Sequence, residues 1–136
     1  WRPSIMASEL RVNTLKDAAG SNEVAMEYVA NGSAKAWIDI PSGQASINDS
    51  LNVSSLDDDG TGDGGINLTS SFGSVNYSIA MGVEDGAGSS AIRAHDLTRT
   101  TKVAGGYDFE TFYLNASNDR TNVDMQSFST MFGDLA

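Results

Sequence analysis

Val75-Asn76-Tyr77-Ser78-Ile79-Ala80-Met81-Gly82-Val83 alternates large apolar side chains with small or polar ones. Side chains on a strand point to opposite faces in turn, so Val75, Tyr77, Ile79, Met81 and Val83 share one face while Asn76, Ser78, Ala80 and Gly82 share the other. A helix would scatter the same residues around its axis. The stretch therefore predicts a half-buried antiparallel strand, apolar towards a core and polar towards solvent.

Upstream, Ala45, Ile47, Leu51 and Val53 fall on one face of a second such strand, with Ser46, Asn48, Ser50, Asn52 and Ser54 opposite and Asp49 as the odd member of the apolar set. Shorter runs follow at 66–68, ending near Phe72, and at 91–97, 100–103, 107–115 and 123–132. Gly, Asn, Asp and Ser clusters separate them at roughly ten-residue spacing. Fourteen glycines against two prolines suit tight hairpins, because glycine supplies the positive φ such turns need. No apolar stripe with helical spacing is long enough to bury a face. The expectation is an all-β fold, an antiparallel β-sandwich of jelly-roll-like kind.

Residues 9–33 differ. Leu10, Val12 and Leu15, then Val24, Met26 and Tyr28, are too few for a core of their own, and the turn formers Ala18-Ala19-Gly20-Ser21-Asn22 divide them. With the two-residue period of Val24, Met26 and Tyr28, they read as an extended β arm that packs on something else. Residues 1–5 join no pattern, and Met6-Ala7-Ser8-Glu9-Leu10 reads as a natural start, which leaves an arm, a tag remnant or upstream sequence as accounts of what precedes it. The domain reading is an attachment or assembly arm at 1–33 and a sandwich at 34–136. Leu10, Val12, Val24, Met26, Tyr28 and Trp37 are the candidates for packing against a partner or a further copy.

Composition removes several functions. Acidic residues outnumber basic ones 18 to 8, a formal charge of −10, which repels phosphate backbones and leaves no basic stripe for nucleic acid. The absence of cysteine removes disulfides, thiolate metal sites and a cysteine nucleophile. No run approaches the ~20 apolar residues of a membrane span, and no apolar secretory core stands near the N-terminus. A soluble protein without membrane insertion is expected.

The motifs that could carry chemistry each have a plainer structural account. The loop Asp57-Asp58-Asp59-Gly60-Thr61-Gly62-Asp63-Gly64-Gly65 offers carboxylates to a hard cation, yet it lacks the alternating spacing and closing glutamate of an EF-hand loop. Its Asp-Gly pairs suit a hairpin joining Leu56 to Ile66, the preferred reading, with a weak calcium site as the other. His95, the only histidine, has no nucleophile elbow or triad spacing around it and reads as a surface or inter-chain hydrogen-bonding residue. Asp108 and Glu110 share a strand face and could form a glycosidase pair, but flanking Phe109 and Phe112 they read as the solvated side of a strand. Trp37, Tyr77, Tyr107, Phe109, Phe112 and Tyr113 could stack on sugars, although most occupy inward-looking positions. Tyr107 and Tyr113 take one face and Phe112 the other, so one of those faces needs cover from a neighbouring sheet or chain. The expectation is a protein that is not an enzyme and holds no cofactor or metal.

Four short segments carry a resemblance: Ala34-Lys35-Ala36-Trp37; Asp49-Ser50-Leu51-Asn52-Val53-Ser54-Ser55; Asp59-Gly60-Thr61-Gly62-Asp63; and Gly133-Asp134-Leu135-Ala136. With the opening stretch 6–19, they resemble the marine and environmental phage tail-fibre-like family over nearly the whole chain from Met6. Each motif marks a fold rather than a reaction. The resemblance implies a β-rich virion protein, homotrimeric, located in a tail fibre, tail tip or other appendage, with further virion proteins as partners and host surface polysaccharide as a possible target. A capsid-decorating protein of cement or head-fibre type is the alternative. The region 82–120 departs most from the family pattern, and variable loops are where host contact is expected. The longest polar loops nominate Asp85, Ser89, His95, Asn118 and Arg120 as the host-facing residues.

Overall fold

A computed structural model describes residues 10–84, 92–97 and 102–136. The chain divides into two compact units, Trp1–Ser33 and Ala34–Ala136.

In the first unit, β1 (Thr14–Lys16) and β2 (Glu23–Ala25) form an antiparallel hairpin in which Leu15 pairs with Val24. Asp17 holds the turn: Ser21 N–H donates to its Oδ1 at 2.9 Å and Asn22 Nδ2 to its Oδ2 at 2.6 Å. Those bonds favour the ionised carboxyl and keep it below its usual range. A seven-residue helix, α1 (Met26–Gly32), follows directly. This corrects the expected strand through Val24, Met26 and Tyr28, which ends at Ala25. Met26 N–H donates to Asn13 O as the ladder runs out, and Met26, Glu27 and Ala30 are adequate helix formers once no partner strand remains. None of the described residues of this unit is buried.

The second unit is antiparallel throughout. One sheet runs β4 (Asp49–Leu51), β3 (Ala36–Ile40), β11 (Ser127–Phe132), β7 (Ser78–Val83). The other runs β5 (Val53–Gly60), β6 (Asp63–Leu68), β9 (Gly106–Leu114), with β8 (Ile92–Leu97) and β10 (Arg120–Asn122) also on β9. Since β8 pairs with β9 along 109–114, overlapping both β6 and β10, it takes one edge of β9 while β6 and β10 lie end to end along the other. Alternation puts Ala36, Ile38 and Ile40 of β3, Ile66 and Leu68 of β6, Tyr107 and Phe109 of β9 and Met131 of β11 into one shared core, closed by Phe72 and Tyr77. The result is sandwich-like and all-β. Its first and last strands, β3 and β11, pair side by side.

Two strand readings change. The run 45–54 is two strands, because Asn52 takes φ 58 and turns the chain out of the β4 sheet into the β5 sheet. Its side chain fixes the turn by accepting from Ser70 N–H at 2.8 Å and donating to Ser70 O at 3.0 Å. The run 75–83 begins its pairing at Ser78. Val75 stays 48% exposed, while Tyr77 is buried with its hydroxyl donating to Gly106 O at 2.7 Å, and that burial pushes its pKa up to about 12. In the acidic loop, Leu56 pairs with Ile66 and Asp58 with Gly64, so the segment is a hairpin. Among the described residues no helix is long and apolar enough to cross a membrane.

Candidate functional site

The hairpin turn between β5 and β6 ends at Gly62, where three chain segments meet. Gly62 has φ 66, and a Cβ there would collide with backbone atoms of Thr111 and Val123. Only glycine fits so close an approach in that conformation. Gly62 O accepts from Thr111 N–H at 2.8 Å, and Gly62 N–H donates to Asp124 Oδ1 at 2.5 Å. Thr111 is itself buried and ties in the next segment, its hydroxyl donating to Val123 O at 2.7 Å while Val123 N–H donates to Thr111 O at 3.1 Å.

A fourth segment arrives from β3. Pro41 ends that strand, and a turn through Gly43 (φ 92) and Gln44 (φ 49) sends the Gln44 side chain inward until 3% of the residue remains exposed. Its Nε2 donates to Thr111 Oγ1 at 2.8 Å and to Met125 O at 3.0 Å. Residues 123–126 are thus clamped between β9, the Gly62 turn and the 41–44 turn. Glu84 N–H donates to Gln126 O at 2.9 Å, which brings the end of β7 alongside.

These clamped residues form one wall of a cleft of about 280 Å3, lined by Ser42, Glu84, Arg93, Val123, Asp124, Met125 and Gln126. The lining combines two carboxylates, one guanidinium, an amide and a hydroxyl with the apolar flanks of Val123 and Met125. Carboxylates only accept hydrogen bonds, a guanidinium only donates, and the amide and hydroxyl do both. A ligand with adjacent donor and acceptor groups matches that set. Among the described residues, no group of three or more His, Asp or Glu side chains is arranged to hold a metal ion.

The residues nominated from sequence do not converge. Asp85 and Ser89 lie outside the described residues. His95 is on β8, not in a loop or at a free surface: its ring meets the Phe109 ring edge-on with centroids 4.9 Å apart, and Nδ1 lies 3.4 Å from Gly82 O. Burial pulls its pKa down to about 4, against smaller upward pushes from the Gly82 carbonyl and the Asp96 carboxylate. Its Nε2 is buried without a hydrogen-bond partner. The expected surface position is therefore corrected to a half-buried imidazole packed on Phe109. Asn118 takes φ 63 in the turn between β9 and β10, with its N–H donating to Asn115 O at 2.9 Å. Arg120 is bound to Glu110 and lies 3.8 Å over the Phe112 ring, so the β9 face that needed cover is covered at Phe112 from within the chain.

Asp108 and Glu110 face the start of β6, where Asp63 pairs with Glu110. Burial raises the Asp63 pKa, as do the neighbouring charges of Glu110, Asp59 and Asp108. Of the packing candidates, Leu10 (79%) and Tyr28 (68%) are the most exposed, Val12 and Val24 are moderately so, and Met26 is half-buried. Trp37 is half-buried on the outer face of its sheet, between Leu51 and Thr130 in register.

The cleft itself was not anticipated. Ser42, Asp124 and Gln126 carry no motif, and Gln44 looks like any turn residue. Four distant chain segments supply the lining, and only the fold brings them together. Comparison with protein-family models, with curated proteins and with solved structures finds no match to this chain.

Proposed function

We propose that this chain is a structural protein of a bacteriophage virion, of tail-fibre type, which assembles as a homotrimer and presents a surface to host glycan without catalysis of its own. The phage origin rests on the four sequence motifs. The observation that carries assembly is the outer face of the β4-β3-β11-β7 sheet. There Leu51 stands next to Trp37 in register and stays 48% exposed, and Phe128, two positions along β11 between Asp39 and Gly82, stays 50% exposed on the same face, while the sheet's other face already fills the core. Large apolar side chains left exposed on a sheet whose other face is already buried are candidates for cover by a partner. In the first unit, considered by itself, Leu10 ahead of the hairpin and Tyr28 of the helix are also exposed. A trimer would bury such surface together with strand edges that otherwise invite aggregation. The jelly-roll comparison is supported only by the pairing of the first and last sandwich strands.

Light scattering coupled to size exclusion tests assembly: a trimer gives three times 14.3 kDa, and Trp37→Asp or Phe128→Asp reduces it to one. A monodisperse single-chain mass for the unaltered protein at micromolar concentration defeats the trimer. Gold-labelled antibody on purified particles tests the location. Label on the tail supports the appendage, and label over the capsid supports the decorating alternative.

A further inference from the structure

We propose that the cleft between Glu84, Arg93 and residues 123–126 is a subsite for one neutral, hydroxyl-rich saccharide ring, a proposal that deepens the host-glycan reading and rests on it. Size comes first. At about 280 Å3 the cleft lies at the bottom of the small-ligand range, enough for a single ring and not for a folded stretch of polymer.

Chemistry narrows the ligand further. Each hydroxyl of a sugar both donates and accepts, and neighbouring hydroxyls present these functions a few ångströms apart. The lining offers matching groups: Glu84 and Asp124 accept, Arg93 donates, and Ser42 and Gln126 do either. Val123 and Met125 supply apolar surface for the C–H face of a ring, so both sides of a sugar's character find a partner.

Charge decides against the anionic sugars. Two carboxylates flank one guanidinium in the cleft, and the chain as a whole carries −10. A uronate, sulfate or phosphate ester would meet net repulsion on approach and beside Glu84 and Asp124.

The wall is also held in place before any ligand arrives. Asp124 is fixed by Gly62 N–H, Val123 by Thr111, the Met125 carbonyl by Gln44 and the Gln126 carbonyl by Glu84 N–H. Binding to a pre-ordered wall loses little conformational entropy. One ring in one shallow cleft binds weakly, and repetition of the subsite in an assembly raises the overall affinity without new contacts.

The test is titration of the isotope-labelled full chain with glucose, galactose, mannose, N-acetylglucosamine and glucuronate, followed by amide NMR shifts. At least one neutral sugar is expected to give saturable shifts confined to residues 42–44, 84, 93 and 123–126. Gln126→Ala should weaken that binding about fivefold, the loss of one net hydrogen bond, with an unchanged melting temperature. No saturable shift at those amides with any neutral sugar at about 50 mM, a concentration that detects even very weak binding, overturns the subsite. So does tighter binding of glucuronate, or shifts that Gln126→Ala leaves untouched. A protein located on particles but with a silent cleft loses only this proposal. Saturable binding in a protein absent from particles keeps the subsite and removes the virion reading.

Discussion

In the sandwich unit alternate residues of β3 and β9 vanish from solvent, with Ala36, Ile40 and Phe109 at 0% exposure, whereas in the hairpin–helix unit Leu10 keeps 79% and Tyr28 68% of its surface. Both units contain paired strands with apolar positions. They differ in whether a second layer exists to receive those positions. A two-stranded hairpin is marginal in water by itself, and a seven-residue helix is below the length at which propensity sustains it. Backbone pairing therefore sets local shape in both units, while layer-on-layer burial supplies stability in only one.

The largest expected effect lies at the centre of the buried layer. Phe109 pairs with Gly64 on β6 and packs against His95 and Tyr107. Phe109→Ala should cost about 3–5 kcal/mol in urea denaturation, from lost transfer energy and the cavity left behind. A loss below about 1 kcal/mol would mean that the two units do not differ in the way argued.

A smaller effect should appear on acidification. Inside the sandwich His95 titrates near 4, against an ordinary value of 6.5. Between those pH values the unfolded chain binds a proton that the folded chain refuses, so stability falls as pH drops through the window and is unaffected above it. The full span corresponds to at most about 3 kcal/mol. Denaturation at pH 7, 5.5 and 4.5 should show His95→Gln losing less stability than the unaltered chain over this range. Parallel pH curves for the two proteins would show that His95 is as solvated as an ordinary histidine.

These contrasts mark how far the residues alone could be read. The all-β class was legible because the runs at 75–83 and 107–115, within which β7 and β9 lie, place apolar residues at alternate positions. β11 was not legible in the same way: Ser127 and Ser129 face the core and Phe128 faces outward, the reverse of a hydrophobic-in pattern. Part of the reason is a bond formed across the sandwich, the Tyr107 hydroxyl donating to Ser129 Oγ at 2.5 Å, and pairing between distant segments leaves no local trace. The break at Asn52 was hidden for a related reason, since its side chain bonds to Ser70, eighteen positions on. The polar residues nominated for host contact do not lie together, since His95 packs against Phe109 and Arg120 stacks on Phe112. The cleft escaped notice because its lining depends on Gly62 and Gln44, whose roles are set by what approaches them in space.

The smallest effect should be in the hairpin, and it sharpens the comparison most. Leu15 pairs with Val24 and remains 42% exposed, and the neighbouring Lys16–Glu23 ion pair, at 2.6 Å with both side chains more than half exposed, adds little. Leu15→Ser should therefore change the stability of the isolated chain by no more than about 0.5 kcal/mol, the usual range for surface substitutions. If the hairpin serves assembly, the same substitution should lower the trimeric fraction at a fixed concentration, because the apolar side chain is then buried only in the assembled state. A large effect on the single chain would show that the hairpin already has a packed partner within it. No effect on either stability or assembly would remove the hairpin from the interface and leave the outer sheet face of Trp37, Leu51 and Phe128 to account for association.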